Sequence, residues 1–91
     1  MKIAVLGAGM VGRAMAIDLA SRFETTSIDL SRESLGILEK KAPSVKTIQQ
    51  DLSKTDSYPA LLRPFDLVIT AVPGFMGFKT LKGVIEAGKN T

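Results

Sequence analysis

Ile3-Ala4-Val5-Leu6-Gly7-Ala8-Gly9-Met10-Val11-Gly12-Arg13-Ala14-Met15 sets an apolar tetrad, three glycines and a run containing alanine side by side. The tetrad is short, includes β-branched Ile3 and Val5, and stops at a glycine, which predicts a strand over residues 2–6 covered on both faces. After the glycines, Met10, Val11, Ala14 and Ile17 fall on one arc of a 3.6-residue repeat, and this predicts a helix over residues 10–22. Asp18 interrupts that arc. A buried strand turning through glycines into a helix is the opening unit of an alternating α/β chain.

Working outward, the same alternation continues. Residues 25–30 read as a second strand and residues 32–41 as a second helix, with Ser31 as a plain N-cap, Leu35 and Leu38 inward, and Ala42-Pro43 as its stop. Residues 45–50 give a third strand. Ser53-Lys54-Thr55-Asp56 has capping-box spacing and predicts a brief helix over residues 58–62. Residues 67–72 form the clearest strand. A last helix over residues 77–87 follows, with Phe78, Leu81, Val84 and Ile85 inward, Phe75 packing beside it and Gly88 as its C-cap. This βαβαβαβα order predicts a doubly wound parallel sheet, helices on both faces, in strand order 3-2-1-4. The chain stops just after that C-cap, where such a sheet turns into its fifth strand. We therefore expect one domain, residues 1–91, truncated before strand 5 and belonging to a longer polypeptide.

Composition narrows the function. Hydrophobic residues make up 45% of the 91-residue chain and charged residues 23%, which is globular. Without cysteine or histidine there is no disulfide, thiolate or imidazole chemistry, and no metal site or catalytic residue is assigned. The net charge of +3 is scattered and lacks interleaved aromatics, so no nucleic-acid partner is expected. The apolar run over residues 67–78 is shorter than the ~20 residues of a spanning helix and contains Pro73, Gly74 and Gly77. Glycines and Arg13 also break the apolar stretch after Met1-Lys2 too early for a signal peptide, and the expectation is a cytoplasmic, non-membrane protein.

A strand followed by G-x-G-x-x-G at the start of a helix is the dinucleotide-binding fingerprint of the Rossmann sheet. Gly7 permits the tight turn, Gly9 leaves room for a pyrophosphate near the backbone, and Gly12 lets helix and strand approach. The amides around Met10 and Val11 lack intrahelical partners and lie at the positive end of the helix dipole, where an anion satisfies both. Asp29, twenty residues after Gly9, is placed to accept hydrogen bonds from the adenosine ribose; its alternatives are a solvated strand end or a cap for the next helix. A carboxylate there disfavours a 2′-phosphate, whereas Arg32 lies where one would be cradled. The reading favours NAD, with NADP as the runner-up. Asp51 is a candidate for the adenine pocket, against ordinary turn chemistry. Ala71, Val72 and Pro73 are candidates for a loop beneath the ribose and nicotinamide, against simple strand termination. Arg13 reads as a solvated helix-face residue rather than a phosphate contact, and Met10, Met15 and Met76 as core filler.

With the GAGMVG turn, Asp29 and AVPGFMGFKTLKGVIEAGKNT in view, the chain resembles the N-terminal part of the saccharopine dehydrogenase-like family, lysine dehydrogenases included. The P-G-F-x-G-F and I-E-A-G-K pieces carry most of the likeness. The resemblance implies that Gly7, Gly9 and Gly12 form the pyrophosphate turn, Asp29 the ribose acid, and residues 71–73 the nicotinamide side. It implies hydride transfer between NAD(P) and an amino acid or imine, with substrate and catalytic residues in parts outside this chain, so the chain alone is expected to bind but not to turn over. The rival from another class is a nucleotide-sensing regulatory module like those of potassium transport, which starts with the same turn and acid. A third reading leaves the turn empty and keeps the domain for homo-oligomerisation through a bare sheet edge.

Overall fold

A computed structural model describes residues 1–71 together with Ile85 and Gly88. Four strands, β1 (Lys2–Leu6), β2 (Glu24–Asp29), β3 (Lys46–Gln49) and β4 (Leu67–Thr70), alternate with helices α1 (Met10–Ala20), α2 (Arg32–Lys41) and α3 (Tyr58–Leu61), the last entered through a 3-10 turn at Thr55–Ser57. The strands form one parallel sheet in the order β3-β2-β1-β4, as the alternation predicts.

Strand periodicity sends neighbouring residues to opposite faces. Ala4 and Leu6 of β1 join Ile28, Val68, Tyr58, Leu62 and Phe65 in one core. Val5, between them, packs with Ala16 of α1 and Leu38 of α2 in another. This is why β1 is buried from Ile3 to Leu6 and reads as an unbroken apolar run. Tyr58, fully buried, donates its hydroxyl to the Leu52 carbonyl at 2.7 Å, so its polar end is satisfied inside the core. The sheet is fastened at its lower edge by Asp66, whose N–H donates to the Lys2 carbonyl at 2.8 Å and whose Oδ2 accepts the Lys2 N–H at 2.7 Å.

Helix α2 has the predicted bounds, the predicted cap and the predicted inward pair: Ser31 Oγ accepts from Ser34 N–H at 3.2 Å, and Leu35 and Leu38 are buried. Helix α1 differs in its face. Met10, Val11 and Ile17, expected inward, are 81%, 67% and 39% exposed, and Ala14 is exposed too. The buried positions are Gly12 and Ala16, with Leu19 packed beside them. The helix lies so close to the sheet that small residues form the contact, and Asp18 falls on the open side. Met10 is accordingly not core filler, while Met15 is half-buried.

The expected capping box does not form: the 3-10 turn has Lys54 rather than Ser53 at its N-cap and no side chain caps it, while the Ser53 hydroxyl donates to Asp51 Oδ1 at 2.6 Å. Strand β1 has the predicted bounds, β2 is shifted one residue earlier, and β3 and β4 are shorter than read, β4 ending at Thr70. The last predicted helix lies outside the described residues apart from Ile85, which is 61% exposed rather than inward. Gly88 has φ of +77°, as a helix-ending glycine should, and its N–H donates to the Ile85 carbonyl at 3.0 Å. Phe75, Met76 and Phe78 also lie outside the described residues. No helix among the described residues is long and apolar enough to cross a membrane.

Candidate functional site

The upper ends of β1, β2 and β4 meet at the glycine turn. The Gly7 N–H donates to the Ile28 carbonyl and the Ala71 N–H to the Leu6 carbonyl, each at 2.8 Å, so the turn leaves the sheet between the exits of its two neighbours. In a doubly wound sheet this is the position at which strand order reverses and ligands bind.

Each glycine meets a different physical demand. Gly7 has φ of +107°, a conformation closed to most side chains. A Cβ on Gly12 would stand 2.1 Å from the Gly7 carbonyl oxygen and 3.4 Å from the Ala71 Cβ, so Gly12 is required for α1 to lie against the turn. Gly9 is required by neither. Its backbone is extended, with φ of −68° and ψ of −173°, and a Cβ there would meet nothing within 4 Å. The bare backbone at Gly9 is an open cradle that a side chain would fill, which fits the residues to a pyrophosphate held against main-chain amides.

No side chain among the described residues caps α1, and no acid stands in its first turn. The first intrahelical bond at the turn runs from the Arg13 N–H to the Gly9 carbonyl at 2.8 Å, which leaves the preceding amides at Met10 and Val11, both exposed, on the positive end of the helix.

Asp29 ends β2 directly beside this turn. Its Oδ2 accepts the Ala8 N–H at 2.6 Å and its Oδ1 accepts the Ser31 N–H at 2.8 Å. The carboxylate is thus fixed in orientation by two backbone donors, one in the turn and one at the start of α2, and it keeps lone pairs for further donors. Spacing placed Asp29 at the strand end; the bond to Ala8 is a tertiary contact with no sequence signature. Arg13 is a second such contact. Rather than being merely solvated, it donates from Nη1 to the Ala8 carbonyl at 3.0 Å.

The remaining candidates divide. Ala71 is at the turn, as its bond to Leu6 shows. Arg32 is turned to a side chain of its own helix: its guanidinium pairs with Glu39 Oε2 at 2.6 Å along α2, and Glu39 also accepts from Thr47. These two donors, Thr47 first and then Arg32, hold the Glu39 carboxyl below its ordinary range. Asp51 builds a local turn, Oδ1 accepting from the Ser53 N–H at 2.9 Å, although the Gln50 N–H donates to the Asp29 carbonyl at 3.0 Å and so brings this loop alongside the Asp29 corner. Val72 and Pro73 lie outside the described residues. A cleft of about 210 Å³ lined by Lys2, Glu24, Lys46 and Phe65 among others opens at the opposite, lower end of the sheet, remote from the glycine turn.

Comparison with known proteins supports the dehydrogenase expectation and lends nothing to the nucleotide-sensing rival. Glycerol-3-phosphate dehydrogenase [NAD(P)+] of Polaromonas sp. is 32% identical over 69 residues, which is 76% of this chain and 20% of that protein. The solved structure of saccharopine dehydrogenase (L-Glu forming) from Saccharomyces cerevisiae is similar with a TM-score of 0.76 and 25% identity, over 97% of this chain and 20% of that one. A 3-hydroxyacyl-CoA dehydrogenase from Archaeoglobus fulgidus gives a TM-score of 0.66 and 26% identity, over 97% of this chain and 30% of that one. The chain therefore spans about one fifth of the length of the first two relatives. The family model described as the saccharopine dehydrogenase NADP binding domain matches residues 3–91, and with the turn, the strand order and the acid-bearing corner in place, the chain belongs to that family of nicotinamide dinucleotide-binding domains.

Proposed function

We propose that residues 1–91 are the NAD-binding portion of an oxidoreductase that moves hydride between the nicotinamide and an amino acid or its imine, with saccharopine or lysine as the substrate class. The observation that carries the cofactor role is Gly9: the fold leaves open space where its side chain would be and puts uncapped helical amides beside it. The nicotinamide supplies the hydride when bound, and the task of this chain is placement. The turn amides at Gly9, Met10 and Val11 receive the pyrophosphate, and the steric demands of Gly7 and Gly12 hold the turn in shape.

Asp29, oriented by Ala8 and Ser31, accepts from the adenosine ribose hydroxyls. Its negative charge supports NAD over NADP, and so does the engagement of Arg32 by Glu39, which draws that cation along α2. Asp51 borders the adenine side through the loop that Gln50 ties to Asp29. Ala71, bonded to the end of β1, borders the ribose and nicotinamide side, the role also assigned to Val72 and Pro73 outside the described residues. The amino-acid assignment is supported by the family and by the yeast saccharopine dehydrogenase likeness. Because the chain spans a fifth of that enzyme, substrate-binding and catalytic groups are assigned to further parts of a longer protein, and this portion alone binds without turnover.

Isothermal titration of the chain with NADH and with NADPH tests the reading. NADH should bind in the micromolar to millimolar range and more tightly than NADPH. Gly9→Val should abolish binding while melting like the parent, since the added side chain starts in open space. No heat with either nucleotide, or unchanged affinity in G9V, would remove the proposal.

A further inference from the structure

Both peptide groups that flank Ala8 are gripped by charged side chains from different elements. The Ala8 N–H is held by the Asp29 carboxylate at the end of β2, at 2.6 Å. The Ala8 carbonyl is held by the Arg13 guanidinium on the first turns of α1, at 3.0 Å. A hydrogen bond with one charged partner is stronger than a neutral one, and here two of opposite sign act on one residue from opposite sides of its backbone. A trans peptide points its C=O and N–H in opposite directions, so fixing the Ala8 carbonyl toward Arg13 also fixes the Gly9 N–H away from it.

From this arrangement we infer that Arg13 is a positioning residue for the dinucleotide turn: with Asp29 it clamps Ala8 and sets the direction of the Gly9 amide before any ligand arrives. The turn needs such a device. The Gly9 carbonyl already accepts the Arg13 N–H at 2.8 Å, but nothing lies within 4 Å of the Gly9 Cβ position and no side chain among the described residues caps the helix, so the direction of the preceding peptide rests on the bonds to Ala8. A glycine in open space loses much backbone freedom when a ligand orders it, and an anchor on the preceding residue removes part of that cost beforehand. The inference deepens the proposed cofactor role and rests on it for its functional meaning, but the clamp itself is a property of the free protein.

The test pairs two measurements on Arg13→Gln and Arg13→Lys. Amide hydrogen exchange of the ligand-free protein at Ala8, whose N–H is held by Asp29, should quicken in R13Q, and R13K, which keeps a cationic donor, should recover part of the protection. Titration with ADP and with NADH should show affinity weakened about tenfold in R13Q and less in R13K, with the melting temperature close to that of the parent. Exchange at Ala8 unchanged in R13Q would overturn the clamp, even if ADP bound less tightly, since Arg13 would then act on phosphate directly. Faster exchange with unchanged ADP affinity would overturn the positioning role. If the parent chain bound neither ADP nor NADH, the cofactor proposal would fall, while the exchange data would still decide whether the clamp exists.

Discussion

A methyl group on Gly12 would stand 2.1 Å from the Gly7 carbonyl oxygen, which is main chain and cannot swing aside. Gly12→Ala is therefore expected to push α1 off the sheet and destabilise the domain by about 1–3 kcal/mol, read as a lower denaturation midpoint, in contrast to the stability-neutral Gly9→Val. The motif spacing was enough to assign three separate reasons to Gly7, Gly9 and Gly12, because each reason is steric and local. It was not enough for Arg13 and Asp29. Their bonds to Ala8 depend on where a helix and a neighbouring strand lie relative to the turn, and spacing along the chain does not encode that. Arg32 shows the same limit: its place after Asp29 suggested a phosphate, but Glu39, two turns further along the same helix face, supplies the opposite charge.

Helix α2 shows local signals agreeing with one another: an N-cap at Ser31, an acid at Glu33 in the first turn, lysines at 40 and 41 in the last, and a proline just beyond. Its weak point is Gly36 in mid-helix, where an added Cβ would meet nothing within 4 Å. Gly36→Ala should raise stability by about 0.5–1 kcal/mol in chemical denaturation, through the backbone entropy that glycine loses on folding. Helix α1 was harder to read because hydrophobicity and burial part company there. Close packing selects Gly12 and Ala16, and the larger Met10 and Val11 are left at the mouth of the turn. The expected capping box failed because the 3-10 turn starts at Thr55 with Lys54 at its N-cap, which leaves Ser53 in the turn built by Asp51.

At the scale of the molecule the strand order was legible, because a chain that alternates short apolar runs with helices has few right-handed ways to close a parallel sheet. Across the lower ends of three adjacent strands, Glu24 lies between Lys46, at 3.2 Å, and Lys2, at 3.8 Å. Lys46 first, by hydrogen bond and charge, and then Lys2 hold its carboxyl below the ordinary value of 4.5. A group whose folded-state value is lowered stabilises the fold fully above its unfolded value, and that contribution disappears as pH falls from about 4.5 through the lower folded value. Glu24→Gln should therefore flatten the acid limb of a melting-temperature profile over that interval while leaving the neutral region nearly unchanged, a small effect for so exposed a cluster. The divided interior has a broader consequence. Val5 is committed to one side of the sheet, and Ala4 and Leu6 to the other, so β1 serves as a bulkhead between two separately filled compartments. Damage on one side, such as loss of the Leu38 side chain, must cross a wall of paired amides to reach the other. The glycine corner rises from the top of that wall and draws its rigidity from both chambers at once.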